Sequence, residues 1–263
     1  MMPIPIFQVD AFTSKAYSGN PAAVCLLSKL MSDAWMQSVA AEMNLSETAF
    51  LLPQEDGFSL RWFTPRVEVA LCGHATLASA HVLFRTGRVP AGDTVHFYSR
   101  SGLLTATENA GWITLNFPTR PVKTVPEPSG LRRSLGIEPL YVGMGEDLLV
   151  EVGSEREVRE CTPDFTRLME LPMRGVILTA RAEMQGFDFV SRFFGPQVGI
   201  NEDPVTGSAH TSLAPYWSEK LRKTDFMAYQ ASARGGVLRV SLLGERVAIS
   251  GQAVMIFEGE LQS

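Results

Sequence analysis

Residues 61–81 read RWFTPRVEVALCGHATLASAH, and residues 192–210 read RFFGPQVGINEDPVTGSAH. The second stretch repeats the first about 131 residues further along, which is close to half of the 263-residue chain. The two align once Glu202, Asp203 and Pro204 are treated as an insertion in the second stretch. A match at this period predicts two copies of one supersecondary unit.

Each copy contains a long stretch without any Asp, Glu, Lys or Arg, at residues 73–84 and 204–218. A helix that is apolar nearly all round leaves no face for water, so we predict two buried helices. The second helix should begin at Gly207 and be kinked or shortened at Pro215. Unpaired N–H groups and the helix dipole favour anions at a helix N-terminus, so the two helices would hold one small carboxylate in a shared cleft.

Composition and charge narrow the class of protein. The net charge is −5 and the sequence pI is about 5.5, which provides no basic surface for nucleic acid. The sequence shows neither a run of about 18 apolar residues nor a signal-peptide pattern, so we expect no membrane partner. Three widely spaced cysteines are typical of a reducing compartment, and the sequence therefore predicts a cytoplasmic protein.

Prolines mark the boundary between the two copies. Five of them fall between Pro118 and Pro139, in a stretch of little periodicity that predicts a linker over residues 118–139. The N-terminal domain is then expected over residues 1–117 and the C-terminal domain over residues 140–251.

Glu47 is the first candidate for acid–base chemistry. Ser32 is expected to cap a helix over residues 33–43, and the strand that follows opens with Glu47. On that strand Glu47 shares a face with Ala49 and Leu51, so we expect its carboxylate to be partly desolvated. Desolvation raises the pKa of a carboxyl group and makes it a better proton carrier near neutral pH. An exposed glutamate at a helix-to-strand junction is the alternative.

Asp203 and His74 are the next candidates. Asp203 lies in the insertion that breaks the repeat, where it either complements a helix dipole or faces Glu47 across the cleft and accepts from a ligand. His74 lies in the first helical turn, where it either contacts a ligand and shuttles a proton or bonds a backbone carbonyl as a buried histidine. The histidines and cysteines show no ligand spacing, so we predict no metal site.

Cys72 and Thr206 occupy matching positions before the two helices. Amino-acid racemases without a cofactor need a base on each face of the reacting carbon, and one family uses thiols at such paired positions. A threonine hydroxyl is too weak a base for that role, which argues against a two-thiol racemase. Cys72 is then most simply a small buried apolar residue.

Six motifs, in order, resemble the PhzF family of phenazine-biosynthesis-like proteins, and especially the phenazine-biosynthesis-like domain proteins also found in animals. They extend from the first strand to the last helix and so cover nearly the whole chain. The motifs are VDAF (residues 9–12), GNPAAVCLL (19–27), MNLSETAF (43–50), LRWFTP (60–65), LCGHATLASA (71–80) and EDPVTGSAH (202–210).

The resemblance implies an α+β chain with a duplicated diaminopimelate epimerase-like fold. In that fold, two similar domains each roll a sheet around a central buried helix, with the active site between them and the final strand, here about residues 252–263, on the first domain. The founding member moves a proton within a dihydro-hydroxyanthranilate ring without metal or organic cofactor. Its catalytic glutamate matches Glu47. Its substrate-contacting positions match His74, Asp203, Gly73, Gly207 and Ser208.

The resulting hypothesis is a cofactor-independent isomerase that uses Glu47 to move a proton within a small cyclic or amino carboxylate. An amino-acid racemase or epimerase is the nearer alternative. A non-catalytic partner-binding protein on an inherited enzyme scaffold is the further one. We expect a small carboxylate as the binding partner, with no nucleic acid and no membrane, and a homodimer as the assembly.

Overall fold

The computed structural model describes residues 3–262. The chain divides into two compact units. The first comprises the chain up to Asn116 together with the segment from Ser250 onwards, and the second comprises Phe117–Ile249. Strands outnumber helices in both units. Among residues 3–262, no helix is both long enough and apolar enough to cross a membrane.

The first unit is built from a mixed sheet and two helices. Its strands, in chain order, are β1 (Ile4–Ala11), β2 (Asn20–Leu26), β3 (Glu47–Gln54), β4 (Gly57–Phe63), β5 (Glu68–Val69), β6 (Thr94–Ser99), β7 (Gly102–Asn109) and β8 (Trp112–Pro118). Its helices are α1 (Asp33–Met43), between β2 and β3, and α2 (Gly73–Arg85), between β5 and β6.

The second unit adds nine strands and four α-helices. The strands are β9 (Lys123–Thr124), β10 (Tyr141–Met144), β11 (Leu148–Glu151), β12 (Val176–Arg181), β13 (Phe189–Gly195), β14 (Ile200–Asp203), β15 (Asp225–Gln230), β16 (Gly236–Leu243) and β17 (Arg246–Gly251). The helices are α3 (Leu131–Leu135), α4 (Glu155–Glu160), α5 (Phe165–Met169) and α6 (His210–Leu221). The last strand, β18 (Ala253–Leu261), belongs to the first unit and pairs antiparallel with β1.

The strands of the two units pair in the same order and with the same relative directions. In the first, β1–β2, β3–β4 and β6–β7 are antiparallel, whereas β2–β3 and β4–β6 are parallel. In the second, β10–β11, β12–β13 and β15–β16 are antiparallel, whereas β11–β12 and β13–β15 are parallel. The short strands β5 and β14 pair with β4 and β13, their equivalent neighbours. The predicted duplication and α+β fold class are confirmed.

Helix α2 is the central helix of the first unit. It packs against β1, β2, β3, β7 and β18, and every residue from His74 to Ala80 is buried. A helix enclosed in this way cannot accept a charged side chain on any face of these turns, which explains the uncharged sequence. Helix α1 begins as predicted, because the Ser32 hydroxyl accepts from the N–H of Trp35.

Residues 118–139 differ from the expected linker. They contain strand β9 and helix α3, and they belong to the second unit. Leu131 and Leu135 are buried in the same apolar cluster as Val150 and Phe194. The prolines interrupt regular structure here, but the leucines between them anchor the segment to the core.

Helix α6 also differs from its prediction. It begins at His210 rather than Gly207, and it continues through Pro215 to Leu221. Proline has no N–H to offer the carbonyl four residues earlier, which is that of Thr211. The N–H of Arg120 donates to this carbonyl at 3.0 Å, so the missing helical hydrogen bond is replaced from outside the helix.

Candidate functional site

His74 lies in the first turn of α2, two residues after Cys72, whose backbone is extended. The side chain is 5% exposed, and burial lowers the pKa of the imidazole to about 3. The ring is therefore neutral at pH 7, and its contacts are those of one donor and one acceptor rather than of a cation.

Asn20 sets the orientation of this neutral ring. It opens β2, is fully buried, and places its amide Nδ2 3.1 Å from Nδ1 of His74. The preceding Gly19 has a φ of +67°, and a β-carbon there would lie 2.2 Å from the carbonyl oxygen of Ala11, so only glycine fits this turn. With the Asn20 amide in this orientation, its nitrogen donates, so Nδ1 is the acceptor and the ring proton is on Nε2.

Glu47 lies beside the protonated nitrogen of this ring. It opens β3 next to Ala22 of β2, and its side chain is 12% exposed. Its Oε2 lies 3.3 Å from Nε2 of His74. The distance is in the range of an ion pair, but the ring is neutral and the pair lacks hydrogen-bond geometry. The neutral ring thus presents a donor, not an acceptor, to the carboxylate.

Glu47, Cys72 and His74 together offer the kinds of atoms that bind metals, and these atoms lie within 4.8 Å of one another. The thiol of Cys72 approaches Nδ1 of His74 at 3.5 Å, whereas the Glu47 carboxylate approaches Nε2. One ring nitrogen, the thiol and a carboxylate oxygen are close enough to face a single ion, although the spacing of these residues along the sequence predicts no metal site.

Asp203 is the centre of a second polar group, in the second unit. It ends β14 beside Phe193 of β13 and is half-buried. Its Oδ2 accepts from the hydroxyl of Thr206 at 2.5 Å. The Thr206 carbonyl in turn accepts from Nδ1 of His210 at 2.9 Å. Burial lowers the pKa of His210 to about 4, although this hydrogen bond acts to raise it, so this ring is also neutral at pH 7.

The remaining predicted site residues lie at the starts of the two buried helices. Gly73 is the first residue of α2, whereas Gly207 and Ser208 lie in a turn just before α6. The Ser208 carbonyl accepts from both the N–H and the hydroxyl of Thr211, at 3.1 and 2.6 Å. Each unit thus carries one group of predicted site residues at the entry to its central helix.

Sequence reasoning does not identify two members of these groups, Asn20 and Gln230. Asn20 falls within the motif GNPAAVCLL, and that motif is the available signal for it. Gln230 ends β15 and bonds to both Asp203 and Thr206, but no motif contains it. The sequence signal for Gln230 is weaker than that for Asn20, because it is only a polar residue between Tyr229 and Ala231 at a strand end.

Two units of one topology, each with a buried central helix, define the class of duplicated diaminopimelate epimerase-like α+β proteins. A hydroxyproline epimerase from Agrobacterium vitis shares this fold with a TM-score of 0.63 over 98% of this chain and 92% of that one, at 11% identity. Within the class, residues 9–259 match the family model described as phenazine biosynthesis-like protein. The chain belongs to this family, PhzF, as its motifs predicted.

Relatives within the family are similar along their whole length. An uncharacterized isomerase from Halalkalibacterium halodurans is 53% identical over 99% of both chains. A phenazine biosynthesis-like domain-containing protein from Bos taurus is 42% identical over 99% of both. The crystal structure of a PhzF-family protein from Enterococcus faecalis superposes with a TM-score of 0.96 at 43% identity, and all of both chains is covered.

Proposed function

We propose that this chain is a cofactor-independent isomerase that moves a proton within a small cyclic or amino carboxylate. Glu47 carries the proton as general base and then as general acid, and His74 assists it. Asp203, in the second unit, orients the substrate. The proposed substrate-binding residues are those at the helix starts: Gly73, Gly207 and Ser208.

The contact between Glu47 and the neutral ring of His74 is the main support for this proposal. A cationic histidine would hold the carboxylate in a permanent ion pair and weaken it as a base. With a pKa of about 3, His74 stays neutral, so the carboxylate remains basic while its Oε2 lies 3.3 Å from Nε2 of the ring. Both side chains are almost fully enclosed, which limits competition from water for the transferred proton.

In this proposal the second unit binds the substrate and takes no part in proton transfer. Asp203 is held in one orientation by the Thr206 hydroxyl. A carboxylate fixed in this way is suited to accept from an amino or hydroxyl group of the substrate and so to align the reacting carbon.

The two alternatives have less support. A racemase or epimerase needs a second base opposite Glu47. The residue that matches Cys72 in the repeat is Thr206, and its hydroxyl proton is donated to Asp203. A non-catalytic binding protein is a poorer match to relatives that are named as isomerases. The homodimer and the cytoplasmic location remain predictions from the sequence.

Proton NMR in D2O on a panel of small cyclic and amino carboxylates tests the proposal. Wild-type protein is expected to remove at least one C–H signal by exchange with solvent. The Glu47→Gln protein should lose this exchange by about 1000-fold, because positioned acid–base groups contribute factors of roughly 10²–10⁴.

Glu68→Gln is the matched control for this measurement. Glu68 belongs to the same unit and its side chain is 11% exposed, close to the value for Glu47, but it pairs with Arg61. Exchange should survive in the folded Glu68→Gln protein. A folded Glu47→Gln protein with full exchange activity would exclude Glu47 as the base.

A further inference from the structure

Gln230 is a fully buried glutamine that holds the turn containing Asp203. It ends β15, opposite Ser191 of β13 and Gly236 of β16, and its exposed fraction is 0%. Burial of a primary amide is costly unless its donors and acceptor are satisfied. The partners that satisfy it therefore indicate what the residue does.

Those partners all lie in residues 203–206, the turn that joins β14 to the segment before α6. Oε1 of Gln230 accepts from the N–H of Thr206 at 2.7 Å. Nε2 donates to the carbonyl oxygen of Asp203 at 2.8 Å and to the Thr206 hydroxyl at 3.2 Å. One side chain thus binds both ends of the turn.

The hydrogen bonds also have a direction. The single hydroxyl hydrogen of Thr206 is donated to Oδ2 of Asp203 at 2.5 Å, so the hydroxyl oxygen must accept from Nε2 of Gln230. The series of hydrogen bonds therefore runs from the Gln230 amide through the Thr206 hydroxyl to the Asp203 carboxylate. Each bond in such a chain strengthens the next and restricts the position of the carboxylate at its end.

We propose that Gln230 is a positioning residue that fixes the Asp203 carboxylate for substrate binding. This inference rests on the proposed function, in which Asp203 orients the substrate. Gln230 itself lies behind the turn and acts only through Thr206 and Asp203. Loss of its amide would leave the Thr206 N–H and the Asp203 carbonyl without these partners and would loosen the attachment of the turn to the sheet, where the Ser232 hydroxyl still donates to the Pro204 carbonyl at 2.7 Å.

Three variants separate positioning from general stability. Gln230→Met keeps the length of the side chain and removes every hydrogen bond. Gln230→Glu keeps an acceptor for the Thr206 N–H but removes both donors. The matched control is Gln197→Met, because the Gln197 amide also donates to backbone carbonyls of this unit, those of Met169 and Leu171, with no bond to the 203–206 turn.

The first measurement is the hydrogen exchange of the Thr206 amide in each folded protein, which requires no substrate. We expect strong protection in wild type, Gln230→Glu and Gln197→Met, and loss of protection in Gln230→Met. Wild-type protection in Gln230→Met would overturn the proposal.

The second measurement is the steady-state rate of C–H exchange for the carboxylate that wild type exchanges fastest. We expect kcat/KM to fall by about 10- to 100-fold in Gln230→Met and in Gln230→Glu, since small misplacements of a positioning group cost factors of this size. The loss should appear in KM. A merely structural defect would lower the active fraction, and so kcat, and would leave KM unchanged, as we expect for Gln197→Met.

Unchanged KM in both Gln230 variants would overturn the positioning role. If wild type exchanges no compound of the panel, the proposed function fails, and the protection of the Thr206 amide still decides whether Gln230 holds the turn.

Discussion

The two halves of the molecule enter their central helices through equivalent segments, Cys72 to Thr76 in the first and Thr206 to His210 in the second. In the first, the Cys72 carbonyl accepts from both the N–H and the hydroxyl of Thr76, at 3.1 and 2.5 Å. In the second, the Thr206 carbonyl accepts from the ring of His210 at 2.9 Å, and the N–H of His210 turns to Gly207. A side chain four residues further on satisfies the same carbonyl in both halves.

The difference explains where each helix starts. A threonine hydroxyl is short enough to share the carbonyl with its own N–H, so α2 begins immediately after Cys72. In the second half, the larger imidazole of His210 occupies the Thr206 carbonyl in place of the backbone N–H of His210. Helix α6 therefore begins only at His210.

The histidines of the two junctions therefore have different tasks. His210 is used to cap a carbonyl in the second half. In the first half Thr76 caps the equivalent carbonyl, and His74 lies two residues earlier, with its Nε2 towards Glu47. In the proposed function, the first junction serves proton transfer and the second holds Asp203.

The largest effect that separates the two junctions is expected from His74→Gln. Glutamine does not reproduce the imidazole N–H that Asn20 orients towards Glu47, so C–H exchange should fall by about 100-fold while Glu47 remains in place. The exchange rate in D2O measures this directly.

His81→Gln provides the control for that substitution. His81 lies in the same helix, and burial, followed by the charge of Arg85, lowers its pKa to about 4. It is a partly buried neutral histidine without the Glu47 contact. Its exchange rate should stay near that of wild type, and an equal loss in both variants would show that the His74 effect reflects only a damaged helix.

A smaller effect is expected on the pH dependence of stability. The native pKa values of His74 and His210 are about 3 and 4, below the unfolded value of 6.5. Between these limits the unfolded chain binds more protons than the native protein, so acid destabilises the fold. Each group contributes fully above pH 6.5, and its contribution falls by up to about 1.4 kcal/mol per pH unit as the pH drops towards the native pKa.

Urea unfolding between pH 7 and pH 5 measures how strongly the free energy of unfolding depends on pH, and variants of His74 and His210 test the contribution of each half. His74→Gln and His210→Gln should each reduce the slope of unfolding free energy against pH by an amount that grows to nearly one proton at pH 5, and the double variant by twice that amount. An unchanged slope in either variant would mean that the corresponding ring is not neutral in the native state.

Much of the fold follows from local sequence signals. The repeat around the motifs RWFTP and RFFGP predicts the duplication, and the uncharged stretches predict two buried helices, because both features depend only on residue type and spacing. The cap at Ser32 is predicted for the same reason. The strand β9 and the helix α3 within residues 118–139 are not predicted in this way, since the burial of Leu131 and Leu135 depends on contacts with distant strands.

The site could be predicted only in part. Motifs single out Glu47, His74 and Asp203 because each lies beside a recognisable helix or strand start. The sequence does not reveal that Asn20 fixes the tautomer of His74 or that Gln230 holds the 203–206 turn. Both contacts join residues far apart in the chain, at 54 and 24 positions, and they depend on side-chain direction within the folded sheet.

The division of labour between the halves is tested most directly by a paired measurement on Glu47→Gln and Asp203→Asn. For the carboxylate that wild type exchanges fastest, the dissociation constant and the rate of C–H exchange are measured with each protein. Glu47→Gln should bind nearly as tightly as wild type while exchange falls by about 1000-fold. Asp203→Asn should weaken binding by about 10-fold or more, the effect of losing a hydrogen bond to a charged group. Tight binding without exchange in Asp203→Asn, together with rapid exchange in Glu47→Gln, would contradict this account.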